Sequence, residues 1–194
     1  MIKEPKMKNR DILWFAVLGA ALTAAIFAGS AWSDDAYRKF KKGLRGAPEV
    51  ARADNPAYVK ECGSCHFAYQ PGLLPSKSWE RLMTGLADHF GDNAELAPDD
   101  RKTLTAYLTA NSADKANQKA AVKTMKSLTG GQPLIRITQT PYFVHEHMEI
   151  PQKLYKDNPK VKSLSYCNRC HVNAGEGSFN EHEVNIPGVG RWED

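Results

Sequence analysis

The sequence predicts a mainly α protein of two small segments after an N-terminal apolar helix, the second segment irregular with few helices. Three observations predict it. Asn55-Pro56, Pro98-Asp99-Asp100 and Thr140-Pro141 are helix starts, with a cap, a first-turn proline or acidic residues at the positive end. Apolar residues recur behind them at helical spacing. Two motifs of one form, Cys62-Gly63-Ser64-Cys65-His66 and Cys167-Asn168-Arg169-Cys170-His171, divide the chain between them and use all four cysteines.

Those motifs carry the chemistry. In C-x-x-C-H, two thiols are spaced to add to the two vinyl groups on one porphyrin edge, and the next side chain turns its imidazole under the iron. Cys62, Cys65, Cys167 and Cys170 are therefore the expected attachment points of two covalently bound haem c groups, with His66 and His171 as their first axial ligands. A tetrahedral zinc site is one alternative, but the pairs stand about a hundred residues apart, and zinc would leave both histidines unexplained. A redox disulfide expects a helix start within a βαβ pattern, and no strand pattern precedes either pair. Plain structural disulfides stay open.

A chain of 194 residues has room for one ordinary domain or two small ones. The expected divisions are a signal peptide or membrane anchor at 1–33, a basic linker at 34–50, a first haem segment at 51–112, a linker at 113–133 and a second haem segment at 134–194. The net charge of +4 sits toward the N-terminus, in Lys3, Lys6, Lys8 and Arg10 and in the run Arg38, Lys39, Lys41, Lys42, Arg45. The body is near neutral, which speaks against nucleic acid. Ile12 to Trp32 is uncharged and mostly apolar behind a basic stretch, so this end starts in or crosses a membrane with its tail in the cytoplasm, and the remainder of the chain is exported. The length of the run favours a retained anchor, while Ala31-Trp32-Ser33 offers a cleavage site. The basic run at 38–45 reads first as a solvated linker and second as a contact for anionic lipid or an acidic partner.

In the first segment, Asn55-Pro56 starts a helix through Tyr58 and Val59 into Cys62. Gln70 to Pro75 is a turn-rich loop with a carbonyl expected to accept the free N–H of His66. Ser76 or Ser78 caps a helix expected to run to Phe90 and stop at Gly91. Trp79, Leu82, Leu86 and His89 share its apolar face, which makes His89 the expected sixth ligand, with Met83 packing against the ring. The helix from Pro98 puts Leu104, Tyr107 and Leu108 on one stripe and is expected to cross the Tyr58 helix.

Ser112 to Gln132 turns polar and ends in Gly130-Gly131, a helix followed by a break. Thr140-Pro141 starts a helix with Phe143, Val144 and His147 on one face, stopped at Ile150-Pro151. His147 is the first candidate for the sixth ligand of the second haem. His182 and His145 stay open behind it, and Met148 after them. From Val172 the tail reads as irregular loop. About sixty residues make a marginal core alone, so neither half is expected to fold without its porphyrin.

With these residues in view, the chain resembles the bacterial dihaem cytochrome c family over about residues 51–190. The resemblance rests on Glu61 to His66, on Trp79 to Gly91, on His147-Met148-Glu149-Ile150-Pro151, on Gly177-Ser178-Phe179 and on Ile186-Pro187. It implies a first half like a class I cytochrome c and a second half with its own fold. It implies two haems with bis-histidine ligation, His66 with His89 and His171 with His147, in an exported periplasmic electron carrier rather than an enzyme. The partners implied are a small monohaem c-type cytochrome or a dihaem b-type membrane cytochrome. A retained apolar run would depart from the soluble members and tie this chain to the bacterial inner membrane.

An iron held by two histidines has no open position, so electron transfer is left and substrate chemistry is disfavoured. The leading expectation is a relay from a membrane quinol-linked donor to an exported acceptor. The alternative is a haem enzyme or gas-binding protein with one five-coordinate iron. A zinc-bound adaptor is the third reading.

Overall fold

The computed structural model describes residues 48–131 and 133–192. The expected N-terminal apolar helix and the linker through residue 47 lie outside the described residues. Among the described residues, no helix is long and apolar enough to cross a membrane.

The described chain is mainly helical, with seven α-helices and one short hairpin. Helix α1, Pro56–Cys62, starts where the Asn55 side chain accepts from the Tyr58 N–H at 3.0 Å, with proline in the first turn. It ends at Gly63. Tyr58 is buried beneath it, its hydroxyl donating to the Tyr69 carbonyl at 2.6 Å. A single 3₁₀ turn at Pro71–Leu73 leads to α2, Ser76–Thr84.

Two expectations fail at α2. No serine side chain caps it; instead the Ser76 N–H and hydroxyl both donate to the Asp114 carboxylate, at 2.7 and 2.9 Å. Nor does it reach Phe90. It stops at Gly85, where a helix interior would lose about 1 kcal/mol relative to alanine. Leu86–Asp88 then form a 3₁₀ turn, and His89 and Asp92 exchange backbone hydrogen bonds at 2.7 and 3.3 Å. The apolar spacing carries on through the break because Leu86 still turns into the core.

Helix α3, Pro98–Ala110, packs along α2 with Leu104 and Leu108 buried. It meets the start of α1 through Tyr107, whose ring lies 5.6 Å from that of Tyr58 and whose hydroxyl accepts from the Asp54 N–H at 3.1 Å. Tyr58, Leu74, Trp79, Met83, Leu86, Leu104 and Leu108 make the larger core.

Helix α4, Lys119–Ser127, lies in the stretch expected as a linker, yet it buries Ala120, Ala121 and Thr124 against the 71–73 turn and α5. Helix α5, Pro141–His147, is capped by the Thr140 hydroxyl, which accepts from the Phe143 N–H at 3.3 Å. Short α6, Gln152–Tyr155, and α7, Cys167–Cys170, come next. The tail departs from irregular loop in two 3₁₀ turns, Ala174–Glu176 and Glu181–Glu183, and in a hairpin in which β1, Asn185–Ile186, pairs antiparallel with β2, Gly190–Arg191. This hairpin turns through Pro187-Gly188-Val189, and Ile186 joins Val161 and Val184 in a smaller core.

From Pro48 onward the chain is one compact unit. Its early and late residues meet directly. The Val50 N–H donates to the Gly177 carbonyl at 3.2 Å, the Phe179 N–H to Glu49 Oε2 at 2.8 Å, and the Gln70 side-chain amide to the Ala174 carbonyl.

Candidate functional site

Helix α1 presents Cys62 as its last residue, and the Gly63 break places Cys65 and His66 just beyond it. Helix α7 is the second motif itself, a single turn from Cys167 to Cys170, with His171 in extended conformation after it. No disulfide joins any two of the four cysteines. Burial, with Glu61 beside it, pushes the Cys62 thiol up to about 11, and burial pushes the Cys167 thiol up to about 12. A redox C-x-x-C pair works through a depressed thiol, so both shifts run against that alternative. Among the described residues, no three His, Cys, Asp or Glu side chains gather around a point that would hold one metal ion, which removes the geometry a four-cysteine zinc site needs.

What does gather is imidazole in pairs. The His66 and His89 rings face each other with centroids 6.1 Å apart and planes 19° from parallel. The His147 and His171 centroids are also 6.1 Å apart, with planes 70° apart. A metal–imidazole bond of about 2 Å, plus roughly 1 Å from nitrogen to ring centre on each side, puts two imidazoles on one metal about 6 Å apart. Both pairs match that spacing.

The other ring nitrogens support the same reading. A carbonyl only accepts, so the 2.7 Å contact of His66 Nδ1 with the Phe67 carbonyl places the proton on Nδ1 and leaves the Nε2 lone pair free. The acceptor is thus Phe67, not a carbonyl of the 70–75 loop as expected. His147 Nδ1 donates likewise to the Phe143 carbonyl at 2.8 Å. His171 Nδ1 is buried without a partner. Burial lowers the pKa of His89, helped by His66 and Arg136, and that of His147; burial and then His147 lower that of His171 to about 4. All three are held as neutral imidazole, the form that binds a metal.

Around the second pair lies a cavity of about 350 Å3, with Phe143, Leu154, Phe179, Ile186 and Trp192 among its walls and Cys167 and Cys170 on its edge. An apolar cavity with two thiols at one side and two imidazoles inside suits a porphyrin bound by thioether links. His145 lines the cavity but is exposed, and His182 is exposed with its Nε2 3.8 Å from Glu181 Oε1. Met148 is 70% exposed. Val144, expected on the apolar face with His147, is 52% exposed; only Phe143 shares that face, its ring 3.9 Å from His147.

His89 faces His66, but from the turn after α2 and not from the helix face expected. Phe90 beside it has a φ of +61°, a left-handed conformation costly for a bulky residue, and its ring lies 3.8 Å beneath the Arg136 guanidinium. Sequence reasoning passed over Arg136 and Tyr69, whose ring lies 5.1 Å from His66. An aromatic residue three positions after the motif histidine was the only signal for Tyr69.

Paired thiols followed by imidazole, with a second imidazole facing each, define a c-type cytochrome with two centres. The profile of the family described as Dihaem cytochrome c matches residues 58–179. A dihaem cytochrome c from Shewanella baltica is 40% identical, covering 72% of this chain and 98% of its own, with a TM-score of 0.60. One from Rhodobacter sphaeroides is 34% identical, covering 67% of this chain and 100% of its own, also with a TM-score of 0.60. Among curated proteins none matches. The chain belongs to the dihaem cytochrome c family, and membership brings two covalently bound c-type haems with their iron.

Proposed function

We propose that this protein is a one-electron relay on the periplasmic side of the bacterial inner membrane, passing electrons from a membrane quinol-linked donor to a soluble acceptor. The observation that supports it most is the second imidazole opposite each motif histidine, at the same 6.1 Å separation in both halves. The haem supplies an iron that cycles between ferric and ferrous states. The chain's own residues do the rest. Cys62 with Cys65, and Cys167 with Cys170, hold one porphyrin each. His66 with His89, and His171 with His147, would hold one haem iron each between two imidazoles, leaving no place on it for a small oxidant.

The first segment, 51–112, is read as the class I cytochrome c-like half and 134–194 as the half with its own fold. The apolar run at 12–32 acts as an anchor or export signal, and the basic residues at 38–45 come after it on the exported side. A small c-type cytochrome suits the acceptor, and a b-type membrane cytochrome the donor.

Carbon monoxide tests the reading. Added to the reduced protein it leaves the Soret band unmoved where both irons are six-coordinate; a large shift would point to an open iron and a haem enzyme or gas-binding protein. Mass spectrometry of the purified chain is expected to show two haem increments, and a bare polypeptide mass would end the relay account.

A further inference from the structure

One line of contacts joins the two centres. The Tyr69 ring lies 5.1 Å from the His66 ring, tilted by 32°. At its other end the Tyr69 hydroxyl donates to the Ser165 carbonyl at 2.8 Å, across 96 residues of sequence. Cys167 Sγ lies 3.9 Å from that same carbonyl oxygen. A single side chain therefore spans from a motif imidazole of the first centre to the peptide touching an attachment thiol of the second. Its backbone is fixed by the Tyr58 hydroxyl, which donates to the Tyr69 carbonyl at 2.6 Å.

We infer that Tyr69 is the bridge through which the two haems exchange electrons, its ring coupled to His66 and its hydroxyl, through the Ser165 carbonyl, to the Cys167 thioether. The inference rests on the relay reading above. In each exchange one electron leaves the ferrous first haem, which becomes ferric, and arrives at the ferric second haem, which becomes ferrous. Tyr69 is neither oxidised nor deprotonated. Its hydroxyl donates to the Ser165 carbonyl and burial pushes the phenol up, so it keeps its proton and its hydrogen bond at neutral pH.

Two variants separate ring from hydroxyl. Tyr69→Phe keeps the ring beside His66 and loses the bond to Ser165; Tyr69→Leu loses both. Gln70→Met is the control, because Gln70 joins the halves through the Ala174 carbonyl without lying on the line. The probe is the whole chain with both haems, partly reduced. Exchange broadening of the haem methyl signals in proton NMR gives the internal transfer rate, and a potentiometric titration gives the two midpoint potentials.

The expected result is slower exchange in Tyr69→Phe, slower by an order of magnitude or more in Tyr69→Leu, and the wild-type rate in Gln70→Met, with potentials unchanged throughout. A wild-type rate in Tyr69→Leu overturns the bridge. Equal slowing in Gln70→Met also overturns it, because looser docking of the halves would then explain the effect. Where Tyr69→Leu fails to take up both haems, Tyr69→Phe decides alone, and an unchanged rate overturns the bridge. Carbon monoxide on the wild-type protein keeps the two failures apart: a response there sinks the relay reading, while inert irons with unaltered exchange sink only the bridge.

Discussion

Two of the four imidazoles have their planes set by the partner that the second nitrogen holds. His147 lies flat over Phe143, 10° from parallel, with Nδ1 tied to the carbonyl one helical turn back. His66 is tied to the Phe67 carbonyl beside it. The outcome is a pair of planes 19° apart at the first centre and 70° apart at the second. Near-parallel axial imidazoles split the iron d orbitals more than crossed ones do. Low-temperature EPR of the oxidised protein is thus expected to show one ordinary rhombic low-spin signal and one with a much larger maximum g value. Two alike signals would contradict these planes. Single substitutions then assign them. His147→Ala is expected to open the second iron to carbon monoxide with both haems still attached and to abolish the large-g signal, while His182→Ala, altering an exposed residue paired with Glu181, leaves both unchanged. That His147 lies against Phe143 was legible because the two are one helical turn apart. The exposure of Val144 was not, since a seven-residue helix turns only a narrow stripe inward.

Where a cap was local it was legible, and where it came from afar it was not. Asn55 and Thr140 cap α1 and α5 from the residue just before each helix. The start of α2 is held by Asp114, 38 residues later, which also accepts from the Ser112 hydroxyl at 2.8 Å. The stop at Gly85 was hidden by an apolar period that runs unbroken across it. Asp114 also gives α2 a pH dependence. Burial opposes its ionisation, but the hydrogen bonds from Ser76 and Ser112 outweigh it and hold the carboxyl below its usual range. A depressed folded-state pKa adds stability that is fully present above the unfolded value of about 3.9 and is lost as pH falls through the folded value. Asp114→Asn is therefore expected to cost about 1–2 kcal/mol at neutral pH, from weakened charge-assisted bonds at a partly exposed site. Its urea midpoint is expected to fall less steeply than the wild type's in acid. Parallel acid limbs would show that Asp114 carries none of the dependence.

At the scale of the molecule, the composition of 113–133 predicted a polar helix and then a break, and the helix is there as α4, but the burial of its two alanines was not legible because small residues stand out little in a polar stretch. The clasp between residues 49–52 and 176–179 left no periodic trace either, and it depends on a glycine. Gly177 has a φ of +81°, and a β-carbon built there would overlap the Val50 carbonyl oxygen. Gly188 is its natural control: its φ is +83°, and a β-carbon there meets nothing within 4 Å. Both alanine variants incur the left-handed backbone cost, about 1–2 kcal/mol. Only Gly177→Ala also has to push residues 49–51 away, breaking the Val50 hydrogen bond and loosening the Glu49 hold on the Phe179 N–H. Gly177→Ala is thus expected to cost about 2–4 kcal/mol in all, beyond its control by the value of the clasp. Phe179 stands 5.3 Å from His171, so the disturbance is expected in the haem methyl shifts of the second centre and not of the first. Chemical denaturation of the two variants beside proton NMR checks both parts, and equal losses from Gly177→Ala and Gly188→Ala would mean that the clasp contributes nothing to holding the halves together.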